Sequence, residues 1–433
     1  MPDLTTQILP EILDHRLPGL TCGDGLVMPY YQGLSLLNLS STISHLLDLP
    51  GFGGPSLNDM ITEHLGGPFQ KVVILLVDAL GFLSFTEMLK NEPGLFWSRN
   101  FDSAVFSPIT SICPSTTASA LTSLWTGVGA ATHGVIGYEM WAKEYGMVIN
   151  NILHSPAMAK TDAGGLSRAG FDPAAFMDKP LLGPFLRQHG VHPTTFIHAS
   201  IARSGLSVMQ MREVKLKPYV NEADLSVGLA DFLNQHQGRR DFVYVYYSDI
   251  DTLMHRYDMV DERVALQFGA FSSIFEEGFI NRLSPEVADE TLLILTADHG
   301  SISTPADDKY DLGNHPTLTA CLVMQPTCEH RLPILYIKPG KVEAVRDYFS
   351  RTWPDDFILV DPDAALEAGL FGEGPFLDGV KQRLGDLIAI SKGNAYLWWS
   401  EKPNLMAARH GGLSAEEMLS PFYALPLRNL IPG

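Results

Sequence analysis

Three short stretches of the chain carry side chains whose types and spacing suit metal binding and phosphoryl chemistry. In Asp251-Thr-Leu-Met-His255 a carboxylate and an imidazole stand four residues apart. On a helical turn both face the same way and can grip one ion. The plain alternative is an exposed helix start with Asp251 as its N-cap. In Asp298-His299-Gly300 two ligand types follow an apolar run, with a glycine that allows a tight turn, which suits a second ion. An ordinary strand-to-loop turn uses the same residue types. In Cys113-Pro-Ser-Thr-Thr-Ala-Ser-Ala-Leu a proline precedes hydroxyl residues that open a helix of small apolar residues. Ser115, Thr116 or Thr117 can cap that helix. A hydroxyl there also has free backbone N–H groups and the positive end of the helix dipole beside it, which suits an incoming phosphoryl group. A metal on the same hydroxyl would lower its pKa and make it a nucleophile.

These residues need strands to hold them. Lys71–Val77 (KVVILLV) is a continuous, β-branched apolar run, the pattern of a parallel strand covered on both faces, and it ends at Asp78. Residues 242–247 (FVYVYY) and 291–296 (TLLILT) repeat the pattern, and each is followed closely by Asp and His. Ligands gathered at the carboxyl ends of several strands are what an open α/β sheet provides. Helical spacing over 116–125, 222–235 and 263–283 alternates with the strands, so a doubly wound, mostly parallel sheet is expected.

From 312 to 384 the texture changes. Residues 332–337 read as a strand, 342–352 as a helix and 357–360 as another strand, a small α+β insertion. The division expected is therefore a core of 1–311 and 385–433 with an inserted cap subdomain at 312–384. Residues 387–390 and 395–399 read as strands that return to the main sheet before His410. The first seventy residues carry no pattern that places them. His133, His154, His315 and His330 lack spaced partners and read as surface or satisfied core residues. Tyr244, Tyr246 and Tyr247 read as sheet packing.

Forty-nine acidic against thirty basic side chains give a formal charge of −19. Such a chain repels polyanions, which argues against a nucleic-acid polymer or an anionic membrane surface as partner. A small phosphate ester remains compatible, because bound divalent cations reverse the local field of a pocket. No apolar run approaches the roughly 18–20 residues that cross a bilayer. The first twenty residues lack the basic and apolar regions of a signal peptide, so a cytoplasmic location is expected. Cys22, Cys113, Cys321 and Cys328 form no C-x-x-C pair and read as free thiols.

In order and content, VILLVDALG, PSTTASALTSLWTG with THGVIG, DIDTLMH, LTADHG and ARHGG resemble the alkaline phosphatase superfamily, and within it the nucleotide pyrophosphatase/phosphodiesterase family. The resemblance implies a three-layer alkaline-phosphatase-like α/β sandwich. It implies two divalent metal ions, one on Asp251, His255 and His410 and the other on Asp78, Asp298 and His299, with the Thr117 oxygen between them. It also implies Thr117 as nucleophile, third after Pro114, and a covalent phospho-enzyme intermediate. With imidazole and carboxylate ligands and no thiolate, zinc is the metal expected first, with manganese or iron as rivals. One position departs from the pattern. Where the family has an Asn that helps bind a non-bridging phosphoryl oxygen, this chain has Tyr138. A phenol donates one hydrogen bond there but lacks the amide's paired donors. The expected function is a phosphodiesterase or nucleotide pyrophosphatase acting on a small phosphorylated substrate. A phosphomonoesterase or phosphonate hydrolase on the same metals is the alternative, and a catalytically silent phosphoryl-ligand-binding protein the last.

Overall fold

The computed structural model describes residues 1–23, 25–159 and 164–431. Its central sheet has seven strands: β1 (Lys71–Val77), β2 (Val105–Thr110), β3 (His192–His198), β4 (Lys215–Tyr219), β5 (Asp241–Tyr247), β6 (Thr291–Thr296) and β7 (Leu419–Pro426). Their spatial order is β2-β7-β6-β1-β5-β3-β4. All pair in parallel except β7, which runs against both β2 and β6. Every residue of β1, β5, β6 and β7 is buried, as their unbroken apolar character requires of strands covered on both faces. Tyr244 and Tyr247, three apart on β5, project to opposite faces. On one face Trp125 meets Tyr244 with ring centroids 5.4 Å apart. On the other Phe271 stacks on Tyr247 at 4.2 Å. The mostly parallel α/β sandwich expected from the sequence is the fold.

A second seven-stranded sheet lies beside the first. Residues 312–384 give it three strands, Thr327–Glu329, Leu332–Leu335 and Phe357–Val360. The other four come from Glu139–Ala142, Met147–Asn150, Ser155–Pro156 and Leu387–Ser391. Its strand residues alternate between two cores. Ile334, Ile388 and Ile390 face the main core, whereas Leu335, Leu387 and Ala389 face a smaller one built around Trp353, Phe357 and Trp398. The expected helix Val342–Thr352 packs Val345 and Phe349 into that smaller core.

Two sequence expectations need correction here. The strand at 387–391 joins this second sheet and not the main one. Residues 395–399 form no strand: they are an extended buried segment held by one bridge, Asp311 to Trp398. Their apolar character reflects burial in the smaller core, not ladder pairing. The strand that does return to the main sheet is β7, whose two prolines hide it. Pro421 stands opposite Pro108 and lies beyond the last β6 partner of β7, the Phe422–Thr296 pair. Its missing N–H therefore costs the β6 ladder nothing.

The N-terminal residues cover the β2 edge of the main sheet. Leu4 N–H donates to Phe106 O at 2.8 Å and Thr110 N–H to Leu34 O at 2.7 Å, which closes an otherwise open edge strand. Among the described residues no helix is long and apolar enough to cross a membrane.

Candidate metal centre and active site

In-register pairing levels three strand ends. Val77 of β1 stands beside Tyr247 of β5, and Leu76 beside Thr296 of β6. Asp78, the helix α1 (Asp249–Tyr257) and the Asp298-His299 turn therefore emerge at one edge of the sheet. Ser248, not Asp251, occupies the N-cap position of α1; Asp251 lies in the first turn and His255 in the last. Ala79 takes a left-handed φ of 61°, and its N–H reaches Asp298 Oδ1 at 3.3 Å. The two turns touch at Gly81 and Gly300: a Cβ on Gly300 would lie 2.0 Å from Glu416 O, so only glycine fits.

His410 arrives from the far end of the chain. A two-stranded ribbon pairs Ile302 with Arg409 and Ser303 with Ala408. The buried Arg409 guanidinium lies 3.9 Å from the Tyr396 ring centroid and donates to Thr304 Oγ1 at 2.7 Å. With Arg409 fixed, the next residue is carried beside the strand ends.

The result is two clusters. Asp251, His255 and His410 offer ligand atoms all within 4.8 Å of one another and are partly exposed, while Asp78, Asp298 and His299 do the same in full burial. His299 and His410 stack with ring centroids 3.9 Å apart, so the clusters adjoin. In each histidine Nδ1 lies against a backbone carbonyl: Ala408 O at 2.9 Å for His255, Gly300 O at 2.9 Å for His299 and Ser115 O at 3.2 Å for His410. That contact places the proton on Nδ1 and leaves Nε2 with its lone pair, the arrangement of metal-ligating histidines.

The carboxylates test whether cations fit. Asp78 Oδ1, Asp298 Oδ2 and Asp251 Oδ1 are buried and accept no hydrogen bond. The second oxygen of Asp78 is held by the Tyr246 hydroxyl and that of Asp298 by Ala79 and His299 N–H. A buried, unpaired carboxylate oxygen is costly, and here three converge beside three imidazole nitrogens. Burial, then the Asp298 and Asp251 charges, lifts the Asp78 carboxyl well above the usual range. Burial likewise raises Asp298. Burial, then His299 and His255, pushes His410 well below its ordinary value. Divalent cations remove each of these penalties at once.

The three hydroxyls left open by the sequence have three different partners, and none of them caps the helix that follows, Thr117–Thr126. Ser115 Oγ donates to Gly412 O at 2.7 Å and so ties down the loop that carries His410. The Thr116 side chain hydrogen bonds Glu329. Thr117 Oγ1 lies 3.2 Å from His299 Nε2, the one hydroxyl of the three at the ligand cluster. The first helical hydrogen bond joins Ala120 N–H to Thr116 O, so the amides of 117–119 are those the helix leaves over. Tyr138 is held through its backbone: its N–H donates to Glu329 Oε1 at 2.8 Å and its carbonyl accepts from Asn151 N–H at 2.9 Å. The residue as a whole is partly exposed.

Two residues near the site escaped the sequence reading. Tyr246 is a hydrogen-bond donor to Asp78 and not only sheet packing. Glu329 is buried between Thr116 and Tyr138, and burial pushes its carboxyl up to about 8. His133 fills the core role expected of it. Its Nε2 meets Ser123 Oγ at 3.1 Å, its Nδ1 accepts from Val135 N–H at 3.1 Å, and burial lowers its pKa to about 3. His315 is likewise satisfied by Tyr348 Oη and Lys309 O. His330 stacks on Trp398 at 4.8 Å.

The profile of the family described as type I phosphodiesterase / nucleotide pyrophosphatase matches residues 72–413. No curated protein sequence matches the chain significantly. Among solved structures, murine ectonucleotide pyrophosphatase/phosphodiesterase 5 superposes with a TM-score of 0.60 at 14% identity, over 82% of this chain and 88% of that one. An inactive form of the murine protein, in complex with AMP, gives 0.57 at 14% identity over 82% and 87%. Phosphonoacetate hydrolase from Sinorhizobium meliloti 1021, in complex with phosphonoacetate, gives 0.58 at 15% identity over 82% and 89%. At this identity the structural likeness speaks for the fold, and the profile for the family. The chain belongs to the type I phosphodiesterase / nucleotide pyrophosphatase family.

Proposed function

We propose that this family member is a two-metal phosphodiesterase or nucleotide pyrophosphatase that acts on a small phosphorylated substrate, with Thr117 as its nucleophile. The observation that carries the reading is the pair of adjoining Asp/His clusters with unpaired carboxylate oxygens, and a hydroxyl 3.2 Å from one of their histidines. Asp251, His255 and His410 would hold one divalent ion and Asp78, Asp298 and His299 the other. An all-nitrogen-and-oxygen donor set with three imidazoles favours zinc, with manganese and iron as rivals. Bound there, the two ions would supply Lewis-acid stabilisation of the attacking and leaving oxygens and would lower the pKa of a neighbouring hydroxyl or water.

The rest falls to the chain. Thr117 loses its proton to solvent, and its oxygen forms a bond to phosphorus as the bond to the leaving alkoxide breaks. Water then attacks the phosphothreonine ester, the Thr117 Oγ1–phosphorus bond breaks, and the hydroxyl is restored. The amides at the start of the 117–126 helix favour the negative phosphoryl group. The partly exposed Asp251 cluster is the side from which substrate enters, and the buried Asp78 cluster is the floor. The chain's −19 charge favours a small substrate over a polyanion. The AMP and phosphonoacetate bound by the two structural neighbours are of that size.

A phosphonate hydrolase or phosphomonoesterase on the same site is the second reading, favoured by Tyr138 at the position where the family's diesterases have Asn. Rates on a nitrophenyl phosphate diester, the matching monoester and phosphonoacetate, in zinc-loaded wild type and Thr117→Ala, separate these. The proposal expects the diester to be the fastest and Thr117→Ala to lose at least about a thousandfold in kcat with its metal retained. Preference for the monoester or the phosphonate would move the function to the second reading. No turnover of any of the three by metal-loaded protein would favour a silent binder.

A further inference from the structure

Glu329 lies outside both ligand clusters, yet the chain goes to some length to place it. Cys328, just before it, adopts a left-handed φ of 76°, a conformation that few residues other than glycine adopt. Glycines clear the space on two sides. A Cβ on Gly137 would lie 2.6 Å from Cys328 Cα, and one on Gly411 only 2.4 Å from Glu329 Cβ. The strand Thr327–Glu329 is thereby pressed between the loop before Tyr138 and the loop after His410.

The carboxyl spans two parts of the site that are far apart in sequence. One oxygen accepts the Tyr138 N–H at 2.8 Å, and the group also hydrogen bonds the Thr116 side chain. Thr116 stands at the N-cap position of the helix that begins with Thr117, but its side chain does not cap that helix. Its hydroxyl serves the link to Glu329 instead.

We propose that Glu329 is a positioning residue of the phosphoryl site, holding the Thr116-Thr117 turn against the Tyr138 loop and so setting the substrate's phosphorus relative to Thr117 Oγ1. This rests on the reading of Thr117 as nucleophile. A displacement of about 1 Å between reacting groups can cost on the order of a hundredfold in rate. Loss of the tie therefore lowers kcat and kcat/KM together while KM holds, the signature of an interaction realised in the transition state.

The test is steady-state kinetics of zinc-loaded protein on the substrate turned over fastest, with bound metal measured for each variant. Glu329→Gln keeps the chain length, an oxygen for the Tyr138 N–H and a second polar atom that can hydrogen bond the Thr116 hydroxyl, and is expected to stay within about threefold of wild-type kcat. Glu329→Ala and Glu329→Asp cannot make both bonds, and are expected to lose about ten- to a hundredfold in kcat, with KM within about threefold and metal content unchanged. Wild-type kcat in Glu329→Ala overturns the proposal. If the Ala variant does not fold, wild-type kcat in Glu329→Asp does the same. A Glu329→Gln variant as slow as Glu329→Asp also overturns it, because charge or a proton, not acceptor geometry, would then be what matters. Thr117→Ala is measured alongside. If it turns over normally, the nucleophile reading fails and takes the proposal with it; if it is dead while the Glu329 variants are normal, only the proposal fails.

Discussion

Tyr246 shows how a residue can act on a candidate metal site without being one of its candidate ligands. Its hydroxyl donates to Asp78 Oδ2, which leaves Oδ1 as the unpaired oxygen turned toward His299. Partners of ligands orient them, and their loss typically costs 10- to 100-fold in metal affinity. Tyr246→Phe is therefore expected to weaken binding at the buried cluster by about that factor, with little change in the fold. Titration of the metal-free protein with zinc, read by a competing chelator dye, checks this, and unchanged affinity would contradict it. In the sequence Tyr246 is indistinguishable from the neighbouring core tyrosines, because only the register of β5 against β1 brings its hydroxyl to Asp78. The candidate ligands Asp78, Asp298 and His299 were legible for the opposite reason, because Asp or His directly after a buried strand is a local pattern, whereas His410 was reached only through the family resemblance. Glu329 has no such pattern. Its contacts with Tyr138 and Thr116 cross about two hundred residues, and no spacing in the sequence announces them.

Among the elements, the segment 329–331 locks the second sheet to the site. Glu329 faces Tyr138, while Arg331 is fully buried and makes two hydrogen bonds with Glu417, at 3.0 and 2.7 Å. Glu417 in turn accepts Gly412 N–H at 2.8 Å and Ser414 N–H at 3.2 Å, so it shapes the loop after His410. Removing one partner of a buried ion pair strands the other, a loss of about 3–5 kcal/mol, whereas replacing both with apolar groups is often near neutral. Arg331→Met is expected to destabilise by that amount in urea unfolding. Arg331→Met with Glu417→Met is expected to recover only part of it, because two loop N–H groups lose their acceptor. Full recovery would show that the loop does not depend on Glu417. Strand legibility also follows burial. β1, β5 and β6 read clearly because both faces are covered, whereas β7 is masked by its prolines and 395–399 mimics a strand through burial alone.

At the scale of the whole molecule, the family and sandwich fold follow from the order of the strand-end motifs along the chain. The second sheet does not, because its strands come from three separate stretches and pair across large gaps in sequence. Acid stability depends on histidines buried across the fold. Burial lowers His133 to about 3 and His154 to about 4. Below the usual value near 6.5 the unfolded chain takes up protons that these folded histidines refuse. The stability they contribute is present above that pH and is lost as pH falls toward 4 and then 3. In metal-free protein, the stability of His133→Gln relative to wild type should rise as pH falls from 6 to 4, by at most about 1.4 kcal/mol per pH unit. Urea midpoints across that range check this, and parallel curves would refute it. The central claim concerns chemistry at phosphorus, and its most direct measurement is the stereochemical course of hydrolysis of a chiral phosphorothioate diester by metal-loaded protein in water labelled with a heavy oxygen isotope, so that the product stays chiral at phosphorus. Attack by Thr117 followed by attack by water is two in-line displacements and predicts retention of configuration. Inversion would mean a single displacement by water, and would contradict the assignment of Thr117 as nucleophile.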